Sequence, residues 1–530
     1  MARTPLLQRL LKLTSMAHKA GKEGVEEVEF TEQHFYTRRK FLQSTAMASI
    51  AATALASCTK MVDDVATGSN DVSNAMSAKP SIVIIGAGIA GLNAAFNLRN
   101  AGIASTLYDA NTRAGGRMFT AQNILNPGLS TELGGEFIDT GHYEMRALAK
   151  LLQLPLIDVY APSELELTQN IYHFNGITYT DKDFLQAIAY YLPAIARDAN
   201  SLSWIIKYNS YTPIDAKFDN MNIIQYFDSI NLTGWLRELL LVAYVGEYGL
   251  NADECNAINF LYLFGLSPEG VPALYGRSDE RFKVAGGNQR ITDALYEKLK
   301  EHVHLEHKLV KIESKGEGYK LYFENKANPV TADIVLLALP FTLLREVEID
   351  VTLPGVKKKA IDTLSYGNNS KLLLGFKSRL WRTKYNSVGM SYSDNGTDNT
   401  WDNSQLQPGN AGGLTVYLGG DDAVRLGNGD VNLIASEYLH KLNQIYPGII
   451  ADYNNKAYRM VWPTYKFTKG SYSAWSVGQY TTIAGSEIEP VGNLFFAGEH
   501  TSYNFQGYMN GGAVTGRIAA NMIIKKIYHD

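Results

Sequence analysis

Three glycines lie between two apolar runs in Ser81-Ile-Val-Ile-Ile-Gly86-Ala-Gly88-Ile-Ala-Gly91-Leu, and the next apolar run, Ala104-Ser-Thr-Leu-Tyr108, ends on Asp109. That order of strand, glycine turn, helix, strand and acid suits a dinucleotide. Gly86 lets the chain turn out of the strand, Gly88 clears the backbone for a pyrophosphate, and Gly91 lets the helix lie against the sheet. The phosphates would sit at a helix N-terminus, where free N–H groups and the helix dipole favour negative charge. Asp109 falls where such folds hold ribose hydroxyls. Downstream, Asn111-Thr-Arg113-Ala-Gly115-Gly116-Arg117 adds two glycines for close backbone approach and a fixed cation near the diphosphate.

A second constellation closes the chain: Phe495-Phe-Ala-Gly498-Glu499-His500-Thr501, then Gly507-Tyr508-Met509-Asn-Gly-Gly-Ala-Val-Thr-Gly516. The Gly115-Gly116-Arg117 segment and this distant pair resemble the two FAD signatures of the flavin amine oxidase family, and the resemblance covers most of the chain after residue 80. It implies FAD as cofactor, with Gly86, Gly88, Gly91, Asp109, Gly116, Arg117 and Met509 at the cofactor and Glu499 accepting from FAD hydroxyls. It also implies that Val310 lays its backbone beside adenine and that the glycine pair of Thr131-Glu-Leu-Gly134-Gly135-Glu136-Phe137-Ile138 meets the flavin.

The same resemblance assigns the chemistry. Lys371, opening an apolar strand after Tyr366-Gly-Asn-Asn-Ser370, would bond a water at flavin N5, and the Phe376 to Trp381 spacing also matches. Tyr508 and Tyr472 would stand face to face over the ring and funnel a neutral amine toward it. Two departures carry information. Animal monoamine oxidases have a flavin-linked cysteine where this chain has Ser471, and the other cysteines, Cys58 and Cys255, lie outside the flavin motifs, so FAD is expected to be non-covalent. Amino-acid oxidases carry a carboxylate-clamping arginine where this chain reads Glu136-Phe137-Ile138. Glu136 is expected to repel a carboxylate and draw an ammonium, and Arg146 is the nearest downstream cation. The expected reaction is amine plus O₂ and water to aldehyde, ammonia and H₂O₂, with the free base as the reacting form. An L-amino-acid oxidase on the same fold, or a flavoprotein desaturase or isomerase, remains an alternative.

The 530 residues suffice for two or three domains. A net charge of −4 and the lack of a basic, aromatic-interleaved stripe argue against a nucleic-acid partner. The histidines form no HExxH or CxxC-type set, His302, His304 and His307 included, so no metal is expected. Oligomeric state is not legible.

These residues need a particular frame. The fold class expected is α/β, a discontinuous Rossmann-type FAD-binding domain (80–145, 285–345, 456–530) with an α+β substrate domain (146–284, 346–455). Residues 146–284 carry helical spacing, as in Phe184-Leu185-Ile188-Leu192 and Trp235-Leu236-Leu239-Leu240. Strands are expected at 304–312, 334–340, 370–376 and 413–419. Ahead of the frame, Thr37-Arg38-Arg39-Lys40-Phe41-Leu42-Gln43 and the apolar stretch to Ala56 read as a twin-arginine export signal, with Leu55-Ala56-Ser57-Cys58 as a lipoprotein box. Residues 1–58 are thus a signal, 59–79 a flexible linker, and the product a periplasmic or cell-envelope lipoprotein whose contact with membrane is a lipid anchor only. Mass spectrometry of the exported protein should find a mature N-terminus at an acylated Cys58; an unmodified Cys58 would overturn this.

Overall fold

The computed structural model describes residues 80–268 and 270–529; the signal and linker lie outside the described residues. The described chain forms one compact unit, Pro80–Asp530. Ile82–Ile85 is apolar at every position and buried on both faces, as a central parallel strand must be. It pairs with Thr106–Tyr108 on one side and Ile334–Leu337 on the other, and the sheet is completed by Val303–His304 and Leu494–Phe496, all parallel.

Gly86, at φ +107°, turns the chain off the first strand, where a Cβ would stand 2.5 Å from the Ala338 carbonyl oxygen. The helix Ile89–Asn100 then crosses so close that a Cβ on Gly91 would lie 1.9 Å from the Gly86 carbonyl oxygen. The long helix Met509–His529 packs on Ile89–Asn100 through Gly516, whose Cβ would meet the Ala90 carbonyl oxygen at 2.1 Å. Asn93 Nδ2 donates to the Ala513 carbonyl at 2.7 Å across this seam. Two motifs about four hundred residues apart thus become one structure.

A second sheet of seven strands runs in the order Tyr453–Val461, Asn369–Phe376, Gly412–Gly419, Asp398–Asp402, Ser391–Ser393, Ile171–Phe174, Ile177–Tyr179. Asn369–Phe376, second in that order, is buried at every position and antiparallel to both neighbours. Helices pack beside it, and their starts follow the sequence: Thr180 with Asp183, Thr212 with Asp215 and Asn222 with Gln225 each form a capping box. Gly234–Tyr248 buries Leu236, Leu239, Leu240 and Tyr244 and stops at Gly249, which takes the left-handed conformation.

Three expectations change. The single strand expected over 304–312 is two, because Glu306 (φ +58°) turns the chain; Val303–His304 stays in the parallel sheet while Leu309–Lys315 joins a separate four-stranded sheet. Residues 146–284 are not only helical, since the Ile171–Phe174 and Ile177–Tyr179 hairpin supplies the edge of the large sheet. The expected boundary at 455/456 falls inside Tyr453–Val461, which hydrogen-bonds along Asn369–Phe376 and belongs to that sheet.

Because the Gly86 carbonyl cannot retreat without breaking the turn, Gly91→Ala should lower the melting temperature sharply or prevent folding. Gly141→Ala, with nothing within 4 Å of its added Cβ, should stay within about 0.5 kcal/mol of wild type. Equal melting of the two variants would contradict the close approach.

Candidate active site

A cavity of about 460 Å³ opens where the parallel strands end, lined by Gly86, Asp109, Ala338 and Gly498, each just beyond a strand's C-terminus. At this end Asp109 Oδ2 accepts from Ala87 N at 2.6 Å and Oδ1 from Asn111 N at 2.8 Å. Each oxygen keeps a lone pair for a hydroxyl. Burial raises the Asp109 carboxyl, against those amides and Arg113. Gly88 and Gly116 touch, a Cβ on Gly116 falling 3.2 Å from Gly88 Cα, whereas a Cβ on Gly88 would meet no atom nearer than 4.0 Å and would project into the space at the helix start. Arg117 Nη1 donates to Glu499 Oε1 at 2.7 Å and to the Ser471 carbonyl at 2.9 Å. Its remaining guanidinium donors have no protein acceptor among the described residues.

Glu499 lines the cavity, but its carboxylate accepts from Arg117, from Ser473 N and Oγ (3.2 and 2.7 Å) and from Gly507 N (2.9 Å). These donors fill the four acceptor positions of a carboxylate. The structure therefore gives Glu499 the work of binding three loops together and leaves it no lone pair for a cofactor hydroxyl. Val310 sits in Leu309–Lys315 and is absent from the cavity wall, as is Gly91, whose part is helix packing. Met509 lines the cavity at the start of its helix, its side chain seated on Gly135, where a Cβ would stand 2.8 Å from Met509 Cγ.

Lys371 is 3 % exposed and does not reach solvent. Its ammonium donates to the carbonyls of Glu132 (3.1 Å) and Gly134 (2.9 Å) and to Glu136 Oε2 (2.9 Å). Those are three acceptors for three N–H groups, so in this arrangement none is left for a water at flavin N5. Glu136 Oε1 accepts from a second buried lysine, Lys283, at 2.7 Å. Burial works to raise the Glu136 carboxyl, but the charges of Lys283 and Lys371 hold it below its ordinary value. The expectation that Glu136 repels anions is corrected: two cations surround its one negative charge. Burial pushes neighbouring Glu132 up to about 7.

Tyr472 and Tyr508 line the same cavity without ring contact with each other, and burial pushes both phenols well above the usual range. Glu247, at the end of Gly234–Tyr248, holds both: its backbone carbonyl accepts from the Tyr472 hydroxyl and its Oε1 from the Tyr508 hydroxyl at 3.3 Å. Tyr417 bonds the Tyr472 hydroxyl at 2.9 Å. Burial, then Asp139, pushes Glu247 up to about 7, and burial brings Asp139 to about 6 and His142 down to about 3. Glu280 lines both this cavity and an adjoining one of about 270 Å³, and burial, then Glu247, raises it well above the carboxylate range. Sequence reasoning missed Lys283, Glu247 and Glu280. A lysine between Phe282 and Val284 in a short apolar strand was the one signal available; Glu247 and Glu280 had none.

Comparison with known proteins fits this geometry. The family model for flavin containing amine oxidoreductase matches residues 89–524. An L-amino-acid oxidase of Demansia vestigiata is 24 % identical over 79 % of this chain and 82 % of its own. Amine oxidase [flavin-containing] B of Canis lupus familiaris is 24 % identical over 85 % and 87 %. Among solved structures, wild-type putrescine oxidase bound to putrescine superposes with a TM-score of 0.72 at 18 % identity, covering 84 % of this chain and 99 % of that one. Cyclohexylamine oxidase from Brevibacterium oxydans gives 0.74 at 21 %, covering 85 % and 99 %.

The chain belongs to the flavin containing amine oxidoreductase family, and it is a flavin-dependent oxidoreductase that holds FAD non-covalently. The residues present fit that cofactor: a glycine cradle at a helix N-terminus, unpaired donors on Arg117, and orphaned polar atoms of His500 and Gln506 on the cavity wall. Ser471 turns its hydroxyl to Asn369 Oδ1 and the Gly367 carbonyl, and the free cysteine among the described residues, Cys255, is buried away from the cavity wall.

Lys371→Met leaves Glu136 paired with Lys283 but removes its second cation and strips the buried carbonyls of Glu132 and Gly134 of their donor, and should destabilise the fold by about 1–3 kcal/mol at neutral pH. Glu136 is lowered in the fold, so its contribution is complete above the ordinary Glu value of about 4.3 and is lost as pH falls through the lowered one. The penalty measured by urea denaturation should therefore shrink in acid. A loss below about 1 kcal/mol at neutral pH would return Lys371 to a surface-like role.

Proposed function

We propose that this protein oxidises an amine lacking an α-carboxylate, taking amine, O₂ and water to aldehyde, ammonia and H₂O₂. One observation carries the reading. Seven carboxyl groups (Asp109, Glu136, Asp139, Glu247, Glu280, Glu487, Glu499) line the cavity; burial raises Glu280 and Glu487 so that these two add little charge at neutral pH, and the wall's two fixed cations, Arg117 and Lys371, are already paired with Glu499 and Glu136. A substrate cation enters a field that favours it. An amino-acid carboxylate would find no open cation: Arg146 is bonded to the Thr140 carbonyl at 2.6 Å, lies over the Phe282 ring and is absent from the wall. Phe137 holds the wall position beside Glu136, with Lys283 over its ring. The amine substrates in the names of the two structural neighbours support the choice, while L-amino-acid oxidase relatives of equal identity favour the rival.

Bound FAD supplies the two-electron acceptor that O₂ regenerates. The protein's own residues orient and enclose. Tyr472 and Tyr508, pinned through Glu247, flank the substrate; the backbone of Gly134 and Gly135, held by Lys371 and Met509, forms the opposing wall. Lys371 is proposed to act through this wall and through its positive charge. We further propose, from the twin-arginine segment and the Cys58 box, that the enzyme works at the cell envelope on a lipid anchor.

In anaerobic flavin bleaching near 450 nm, phenethylamine should reduce the enzyme with at least tenfold higher second-order rate than L-phenylalanine. The reverse order would establish the amino-acid oxidase reading.

A further inference from the structure

Every carboxylate at the cofactor end of the cavity is satisfied: Asp109 by two amides, Glu136 by two lysines, Glu499 by four donors. Asp139 is likewise taken up, by Ser278 Oγ (2.7 Å), Glu280 N (3.0 Å) and His142 Nε2 (3.2 Å). Glu247 differs. Its carboxyl receives a single hydrogen bond, the 3.3 Å contact from Tyr508, and meets no cation among the described residues. Its main chain holds the other ring of the tyrosine pair, so Glu247 bonds both side chains and lines the cavity with them.

Resting on the amine-oxidase reading, we propose that Glu247 is a catalytic residue that accepts the proton of the substrate's ammonium group, so the form the enzyme takes up is the alkylammonium. The step balances: R–CH₂–NH₃⁺ and the Glu247 carboxylate become R–CH₂–NH₂ and the Glu247 carboxylic acid. The N–H bond breaks, its electron pair stays on nitrogen, and that lone pair is what the departure of hydride from the α-carbon requires. The proton returns to water when product leaves.

The groups facing Glu247 are the acids Asp139 and Glu280 and the phenols of Tyr244, Tyr248, Tyr275, Tyr392, Tyr417, Tyr472 and Tyr508. None is cationic, so the arriving ammonium is the partner this carboxylate lacks. With its titration brought up to about 7 by burial and then Asp139, Glu247 is ionised over the same range in which an alkylamine, with a pKa of about 10, is protonated. Glu280, at the junction with the second cavity, adds negative potential on the substrate's path once ionised.

The test compares the pH dependence of kcat/KM and of anaerobic flavin reduction for wild type, Glu247→Gln and Glu247→Asp, with phenethylamine as substrate. Wild type should give a bell with limbs near 7 and near the amine's own value. Glu247→Gln, with FAD content and visible spectrum unchanged, should lose the bell, rise with pH as free base appears, and fall at least tenfold below wild type at pH 7.5. Glu247→Asp should keep the bell at reduced rate. A Glu247→Gln enzyme with wild-type rate and profile at pH 7.5 overturns the proton-accepting role while leaving the amine-oxidase reading intact. A wild-type enzyme whose flavin no amine of a broad panel bleaches at any pH overturns that reading and the proposal together.

Discussion

One carboxylate between two lysines organises this molecule. Glu136 lies on a loop that lines the cavity, Lys371 on the strand Asn369–Phe376 of the large sheet, and Lys283 on the strand Phe282–Val284, and all three are buried. Removing Glu136 leaves two buried ammonium groups without their counter-charge in a medium that solvates them poorly, whereas removing either lysine leaves a one-to-one pair. The arrangement has a second consequence that apolar packing would not provide. Lys371 also bonds the carbonyls of Glu132 and Gly134, so directional hydrogen bonds hold the glycine backbone against the cavity.

From that anchor the cavity divides into two electrostatic regions. At the sheet end, charges are matched and donors counted, as suits a bound group with its own fixed phosphates and hydroxyls. At the tyrosine end neither Glu247 nor Glu280 forms an ion pair among the described residues, and burial raises both, opposed at Glu280 by the charge of Lys283. The polarity of the site is therefore conditional. The ionisation of Glu247 and Glu280 is coupled to the charge of whatever group lies beside them.

The fold places both regions with little freedom. Gly91 and Gly516 each accept a neighbouring carbonyl at a distance no side chain tolerates, so helix, turn and C-terminal helix lock in one register. Met509, at the start of that last helix, then rests on Gly135 and joins the cofactor turn to the loop held by Lys371.

Much of this was legible in the residues alone. The glycine turn, Asp109, the Gly115-Gly116-Arg117 pair and the C-terminal signature are local patterns whose spacing is dictated by backbone geometry, so they survive in one dimension. Lys371 was legible too, as a cation in an apolar strand, but its partners were not, because Glu132, Gly134 and Glu136 lie more than two hundred positions away. The same distance hid the sign of the site: Glu136 reads as a free negative charge until Lys283 and Lys371 are brought to it, and Glu499 reads as a free acceptor until Ser473, Gly507 and Arg117 converge on it. Glu247 at a helix end and Glu280 in a turn carry no sequence mark at all. Local conformation and the cofactor cradle were determined by the sequence itself, since they depend on neighbours in the chain. Which charges are satisfied and which await a substrate was decided only by the tertiary structure, because burial and ion pairing depend on neighbours in space.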